Sequence, residues 1–434
     1  MKNTFLTLLL LLFCLHTNAQ KAGLEDFKAK YEPYYKATNI KMGILLKKGN
    51  QFYAQRINFE NNDNVVFNIG SATKTFTAVL ILQEIEKGTL NLSDTIGTFL
   101  SPIQNIASDI TIEQLLRHQT GLAEVVGGEE EWYAYDIPHD SIFRRDVFSN
   151  VKPRQEAKIG KFDYTNTNYI LLGEILEKIN DKSYFDLLKE RIFEPCGLEK
   201  TYPYLSKTIP DLVHPTDEKN ESDQFEGINY KLFAHYDFSA GSIASTLKDM
   251  AAFYENLYEK ETLISKSSLQ QMTDFKGGSY GLGLQKLKVE GVDYWGHGGN
   301  NYGYAFRNYY NPENGNMMMY FINRFRVPMK NSVLKDFSAI MHNKSLVAFR
   351  KNIVDEFKDF EGNYILKGPE LAFTIFEKGN ILYFQVQNLK VPLVSYEPNI
   401  LLDVSSGIEF TKSEDDPGKL IWSQSGEKLE AVTQ

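Results

Sequence analysis

The sequence predicts an α+β domain, an antiparallel sheet flanked by a helical region, followed by a small all-β barrel or sandwich. Two observations carry this. Strand-like runs lie near both ends of residues 20–350 with helical periodicity between them, so the end strands would pair in one antiparallel sheet. Beyond about residue 355, apolar-aromatic runs recur roughly every 8–12 residues, punctuated by Gly362, Gly379-Asn380, Gly407, Gly418 and Gly426. The expected organisation is a leader over residues 1–19, a first domain over 20–350 and a second over 351–434.

Lys2 followed by a nearly unbroken apolar run over residues 5–15, and then Thr17-Asn18-Ala19, reads as a secretory signal cleaved after Ala19. The run is too short to span a bilayer comfortably, and no later segment is long and apolar enough. The expected location is therefore outside the cytoplasm, in periplasm or medium. Bulky Phe13 before Cys14 argues against lipoprotein processing. Cleavage leaves Cys196 alone, which reads as a small buried hydrophobe at a turn.

Residues 42–46 and 51–57 are apolar-aromatic runs joined by Lys47-Lys48-Gly49-Asn50, a hairpin signal. From Ser71 to Lys87, Phe76, Val79, Leu80, Leu82 and Ile85 recur at helical spacing, with Gly88 as the stop. Further helices are expected over 111–116, 169–179, 245–258 and 332–341. Strands are expected over 280–287, 292–295, 302–310 and 317–322.

A net charge of -9 without a long basic run excludes a nucleic-acid binder. The seven histidines are scattered and no CxxC or HExxH motif occurs, so neither a metal nor another cofactor is expected.

Three short motifs point to chemistry. Ser71-Ala72-Thr73-Lys74 would put a hydroxyl and an amine on one helix face, where the amine can take the hydroxyl proton or lower a partner's pKa. Ser149, Ser245, Ser332 and Ser425 begin further Ser-x-x-Lys matches. Ser71 differs in opening an apolar helix directly after a strand, so its backbone N–H and the helix dipole can face an oxyanion. Tyr164-Thr165-Asn166 offers a phenol that needs a neighbouring cation, such as Lys74, to act as a base; Tyr254 and Tyr309 begin copies of this motif, the former on a core stripe. His297-Gly298-Gly299 follows a short strand, and its glycines would let a substrate approach the backbone. A competing Gly277-Gly278-Ser279-Tyr280-Gly281 fits the G-x-S-x-G elbow, but a strand pattern follows where that motif requires a helix.

The three motifs, in that order, resemble the boxes of the class C β-lactamase family, which includes D-alanyl-D-alanine carboxypeptidases, D-aminopeptidases and related esterases. Residues 110–122, ending His118-Gln119-Thr120-Gly121-Leu122, residues 162–176, residues 240–250 and Tyr280-Gly281-Leu282-Gly283-Leu284 resemble the family's surrounding segments. The tail resembles a lipocalin-like domain. The resemblance implies Ser71 as acylated nucleophile, Lys74 as its partner holding the Tyr164 pKa down, Tyr164 as the base that takes the Ser71 proton, gives it to the leaving group and later activates water, and Asn166 as orienter of Lys74 and binder of a substrate amide. It implies the backbone N–H groups of Ser71 and Asn300 as oxyanion hole, with Gly298 and Gly299 beside the substrate. The third box departs from the usual Lys-Thr-Gly: His297 replaces a permanent cation with one expected to titrate near neutrality, and Gly298 removes a hydroxyl. The implied function is an exported serine hydrolase acting on small peptides or peptidoglycan fragments containing D-amino acids. A carboxylesterase and a non-catalytic binding module of the same fold are the alternatives.

Overall fold

The computed structural model describes the chain except residues 1, 60–64, 126–146, 149–150, 217–222, 224, 229, 231–232, 302, 326, 352, 388, 405, 417 and 425–426, and except the side chains of 2–18 and 234. Ser149 and Ser425 therefore lie outside the described residues. The chain divides into two compact units, one of residues 1–41, 53–58 and 326–434 and one of 42–52 and 59–325.

Helix α1 (Lys2–Ala37) belongs to the first unit. Leu24, Phe27, Tyr31 and Tyr35 are buried at spacings of three and four, which makes one apolar stripe. Among the described residues no helix is long and apolar enough to cross a membrane.

Strand β1 (Met42–Lys48) and strand β2 (Gln51–Ile57) flank the expected tight turn, where Gly49 takes a φ of 57°. Strand β3 (Phe67–Asn68) leads through a tight 3₁₀ turn, Gly70–Ala72, into helix α2 (Thr73–Lys87). Gly88 closes α2 in the left-handed conformation that glycine favours. The α2 helix is buried on every side through its first ten residues, and two of its three threonines there find partners: Thr75 donates to the Gly283 carbonyl and Thr77 to that of Ser239, while Thr73 Oγ1 has none among the described residues. Helix α3 (Ile112–Leu116) begins with a capping box between Thr111 and Gln114.

Helix α4 (Asn166–Asn180) and helix α5 (Tyr184–Leu188) follow, capped by Thr165 and Ser183. Strand β4 (Tyr202–Pro203), the short helix α6 (Phe238–Gly241) and strand β5 (Ile243–Ser245) lead to helix α7 (Leu247–Tyr258) and helix α8 (Lys266–Met272). Ser245, expected to begin a helix, instead pairs with Phe67 of β3, and α7 starts after its cap Thr246.

Strand β6 (Gln285–Val289) starts five residues later than expected, because Tyr280–Leu284 closes on itself through a Gly281 N–H to Leu284 carbonyl bond. Strands β7 (Val292–Gly296), β8 (Gly299–Asn301), β9 (Tyr304–Tyr310) and β10 (Met317–Ile322) complete the second unit. Its sheet runs β1-β10-β9-β7-β6, with β8 pairing β9. The predicted end-to-end pairing is present, with Met42 opposite Ile322 and Lys47 opposite Met317.

Helix α9 (Lys330–Met341) returns to the first unit and packs on α1. Strands β11 (Gly362–Leu366), β12 (Leu371–Glu377), β13 (Leu382–Val386), β14 (Leu389–Glu397), β15 (Ile400–Asp403), β16 (Ile408–Lys412), β17 (Lys419–Gln424) and β18 (Glu427–Thr433) form a closed antiparallel barrel. Phe373, Phe384, Phe410 and Trp422 pack ring against ring in its core.

Candidate active site

The turn between β3 and α2 carries Ser71, and the first turn of α2 carries Lys74. Lys74 is fully buried, with its Nζ 3.1 Å from Ser71 Oγ, 2.6 Å from Asn166 Oδ1 and 2.9 Å from the Ala240 carbonyl. Burial pulls its pKa from the ordinary 10.5 down to about 7, against the opposing charges of Asp237 and Glu124. Once neutral, the amine donates to Asn166 and Ala240 and offers its lone pair to the Ser71 hydroxyl. The arrangement can therefore activate a serine at neutral pH.

Asn166 is the first residue of α4. Its N–H donates to Glu124 Oε2 at 2.8 Å, so an acid distant in sequence anchors the helix start that aims its side chain at Lys74. Asp237 precedes α6 and accepts from Asn301 Nδ2 at 2.6 Å; burial raises its pKa to about 6. Neither acid was visible as a motif, because each works through burial beside Lys74.

The ring of Tyr164 lies 5.0 Å from Lys74 Nζ, and 38% of its surface is open. Its pKa is raised, by desolvation first, with a hydrogen bond to Ser71 drawing it part of the way back. The expectation that Lys74 holds this pKa down is corrected here. An amine that loses its proton near pH 7 is no longer a cation at the pH where a phenol ionises.

The β8 strand passes directly over the Ser71 turn. A Cβ on Gly299 would lie 1.8 Å from the Ile69 carbonyl oxygen and 2.8 Å from Ser71 N. Gly70 has a φ of 51°, and a Cβ there would meet the backbone of Asn300 at 2.9 Å. Only glycines permit this approach. A side chain on Gly298 would meet Arg307 at 3.0 Å.

His297 is buried, with its Nε2 2.9 Å from the Tyr280 hydroxyl and its Nδ1 2.7 Å from the Gly298 carbonyl. Desolvation, with help from the Lys74 charge, lowers its pKa to about 3. The expectation of a group titrating near neutrality is thus overturned: the imidazole is neutral. His118 and Tyr280 also line this region, with ring centroids 4.2 and 6.2 Å from that of Tyr164.

The competing serines lie elsewhere. Ser279 sits on an exposed turn with no helix after it. Ser245 Oγ is bonded to Thr201 and Ser332 Oγ to Tyr31. Tyr254 is core and accepts from Asn308 at 2.7 Å. Half-buried Cys196 ends a short helix, and burial raises its thiol to about 12, far from a reactive thiolate. Among the described residues no His, Cys, Asp and Glu cluster could hold a metal.

The sequence model of the family described as Beta-lactamase matches residues 44–339. The chain belongs to the beta-lactamase family. Like its relatives, this beta-lactamase-family protein is a serine hydrolase. It is 26% identical over 406 residues to "Penicillin-binding protein 4*" of Bacillus subtilis, covering 85% of this chain and 88% of that one. It is 27% identical over 248 residues to "D-aminopeptidase" of Brucella anthropi, covering 53% of this chain and 44% of that one. In fold it resembles the D-amino acid amidase of Ochrobactrum anthropi SV3 (TM-score 0.61, 20% identity, 76% of this chain and 98% of that one). It also resembles the octameric penicillin-binding protein homologue of Pyrococcus abyssi (TM-score 0.60, 22% identity, 94% of this chain and 99% of that one).

Proposed function

We propose that the protein is an exported hydrolase that cleaves small peptides or amides containing D-amino acids through an acyl-enzyme on Ser71. The observation that carries this is the contact of the Ser71 hydroxyl with an amine whose pKa burial has brought to about 7. Lys74 takes the Ser71 proton while Oγ bonds to the substrate carbonyl carbon. The backbone N–H groups of Ser71 and Asn300 hold the oxyanion. The proton then passes through the Tyr164 hydroxyl to the departing nitrogen as the C–N bond breaks. Water attacks the ester by the same route in reverse, and Ser71 is released.

The third box refines the substrate. A neutral His297 gives a free carboxylate no counter-ion, and the nearby Arg307 guanidinium is engaged by the Gly299 and Phe306 carbonyls, whereas an amide or ester needs no cation. This favours D-aminopeptidase or D-amidase chemistry over removal of a C-terminal D-residue. The relative named D-aminopeptidase supports the same class.

The test compares D-alanine p-nitroanilide, a peptide ending in D-alanyl-D-alanine, and p-nitrophenyl acetate, with Ser71→Ala as control. Turnover of the first supports the proposal. Turnover of the acetate alone would replace it with the carboxylesterase reading. Folded protein that neither turns over substrate nor is labelled by a fluorophosphonate would be a binding module. The export step is tested by the N-terminus of secreted protein, expected at Gln20.

A further inference from the structure

We infer that Tyr280 and His118 are positioning residues, linked with His297 in a hydrogen-bond chain of one fixed direction that ties the Tyr164 loop to the third box. The inference rests on the proposed site but not on its substrate.

The direction follows from the two ends. The backbone N–H of Thr165 donates to His118 Nδ1 at 3.3 Å. Thr120 Oγ1 takes the Leu122 N–H at 3.1 Å and gives its own proton to Asn168 Oδ1 at 2.8 Å. This orients the Asn168 amide, so its Nδ2 is a second donor to His118 Nδ1, at 3.1 Å. With two donors on Nδ1, the His118 proton must be on Nε2. Nε2 lies 3.2 Å from the Tyr280 oxygen and donates to it. At the other end, His297 Nδ1 faces a carbonyl, that of Gly298 at 2.7 Å, and must carry the proton. His297 Nε2 is then a bare acceptor, and the Tyr280 hydroxyl donates to it at 2.9 Å. The neighbouring Tyr169 hydroxyl gives its proton to the Leu116 carbonyl at 2.9 Å, so it has none to offer Tyr280; its oxygen is a second acceptor there, but turning the Tyr280 proton to it would leave the bare His297 Nε2 facing phenolic lone pairs at 2.9 Å.

Each link therefore has one donor and one acceptor, and both imidazoles are neutral. A proton added to His297 would aim Nε2–H at a Tyr280 oxygen that already accepts from His118, and would displace the phenolic proton toward the Tyr169 oxygen. The other groups facing His297 are the Tyr164 ring and the charges of Lys74 and Arg307, which oppose a positive imidazole.

The chain holds both catalytic edges. His118 adopts a φ of 54°, costly for a residue with a side chain, and is fully buried. Its carbonyl accepts from Asp163 N–H at 2.8 Å, its Nδ1 accepts from Thr165, and its ring packs 4.2 Å from Tyr164. It thus grips the chain on both sides of Tyr164. At the far end, His297 holds the Gly298 carbonyl, one residue before Gly299 meets the Ser71 turn. His297 accordingly acts on the backbone of the third box rather than by charge.

The test reads tautomers in the resting enzyme by long-range ¹H–¹⁵N NMR of ¹⁵N-histidine protein, assigned with His118→Gln and His297→Asn. We expect His118 as the Nε2–H tautomer and His297 as the Nδ1–H tautomer, neither titrating between pH 5 and 8. Tyr280→Phe keeps the ring and deletes both bonds. We expect its His297 to stay Nδ1–H, held by the Gly298 carbonyl, but with its Nε2 ¹⁵N shift moved by loss of the phenolic donor, and kcat for p-nitrophenyl acetate to fall roughly 10- to 100-fold with KM little changed. An Nε2–H His297, or a His297 that ionises near pH 6.5, would overturn the chain. So would a Tyr280→Phe protein with the wild-type His297 Nε2 shift and kcat. The tautomers need no turnover, so an enzyme inactive on every D-substrate but showing them would fail the substrate reading and leave this one standing.

Discussion

The pKa of Lys74 controls how much enzyme can react at a given pH, and pH is the cleanest perturbation of it. A lysine at the ordinary 10.5 would be neutral in roughly one molecule in 3000 at pH 7, whereas one at about 7 is neutral in half. Burial is thus worth roughly a thousandfold in competent enzyme. For p-nitrophenyl acetate, kcat/KM measured from pH 5 to 9 should rise about tenfold per unit and level off near pH 7. Asp237 sits in the same field with a pKa raised to about 6, so the limb belongs to the coupled pair. Asp237→Asn separates them. Its carboxylate stabilises the Lys74 ammonium, so removing it should move the limb to lower pH while keeping a slope of one proton. Protein integrity at each pH is checked by circular dichroism. A rate that stays flat down to pH 5, or a limb centred above pH 9, would refute Lys74 as the proton acceptor. Loss of the limb altogether in Asp237→Asn would assign it to the acid instead.

Further outcomes follow from the same geometry. Gly299→Ala would place Cβ 1.8 Å from the Ile69 carbonyl and push β8 off Ser71, so fluorophosphonate labelling should slow by about 100-fold or more; an unchanged rate would remove β8 from the site. His118 and His297 are both held below their unfolded value near 6.5, so the native state binds fewer protons there. Their stability contribution is intact above that pH and is lost on acidification, by up to about 1.4 kcal/mol per pH unit for each; urea midpoints at pH 7, 6 and 5 should fall, less steeply in His118→Gln. Phe410→Ala removes a fully buried ring lying 5.2–5.6 Å from Phe373, Phe384 and Trp422, and should destabilise the barrel by about 3–5 kcal/mol in urea unfolding.

Local patterns reveal what local forces decide. The α2 periodicity, the Gly88 stop, the pairing of β1 with β10 and the regular strand spacing of the barrel were legible because each is a repeat of apolar residues closed by a turn former. The Ser71, Lys74, Tyr164 and Asn166 cluster was legible because helical spacing or chain order brings its members forward as motifs. Tyr280 was misread as a strand residue: its alternation with Gly281 and Gly283 mimics a strand, whereas Gly283, at a φ of 69°, sits where a Cβ would meet Ala78 and the Lys74 carbonyl. Glu124 and Asp237 carried no signal at all, since their influence on Lys74 comes from shared burial. The same cause defeated the expected pKa values of Tyr164 and His297. Composition gives a side chain its model chemistry, and only the fold supplies the desolvation that moves it.

The histidine of the third box is then intelligible as part of its surroundings. A lysine at position 297 would carry donors only. Its ammonium would face a Tyr280 oxygen that already accepts from His118 and would displace the phenolic proton toward the Tyr169 oxygen, the other acceptor beside it. His118 cannot reverse to supply one, because Thr165 N–H and the Asn168 amide occupy its other nitrogen. It would also add a second buried positive charge near Lys74, lowering the pKa of that amine further. Position 297 is therefore constrained from two sides, by the direction of the bonds reaching it and by the charge of the amine beside Ser71. A neutral acceptor with one donor meets both conditions, and an imidazole fixed as its Nδ1–H form is such a group.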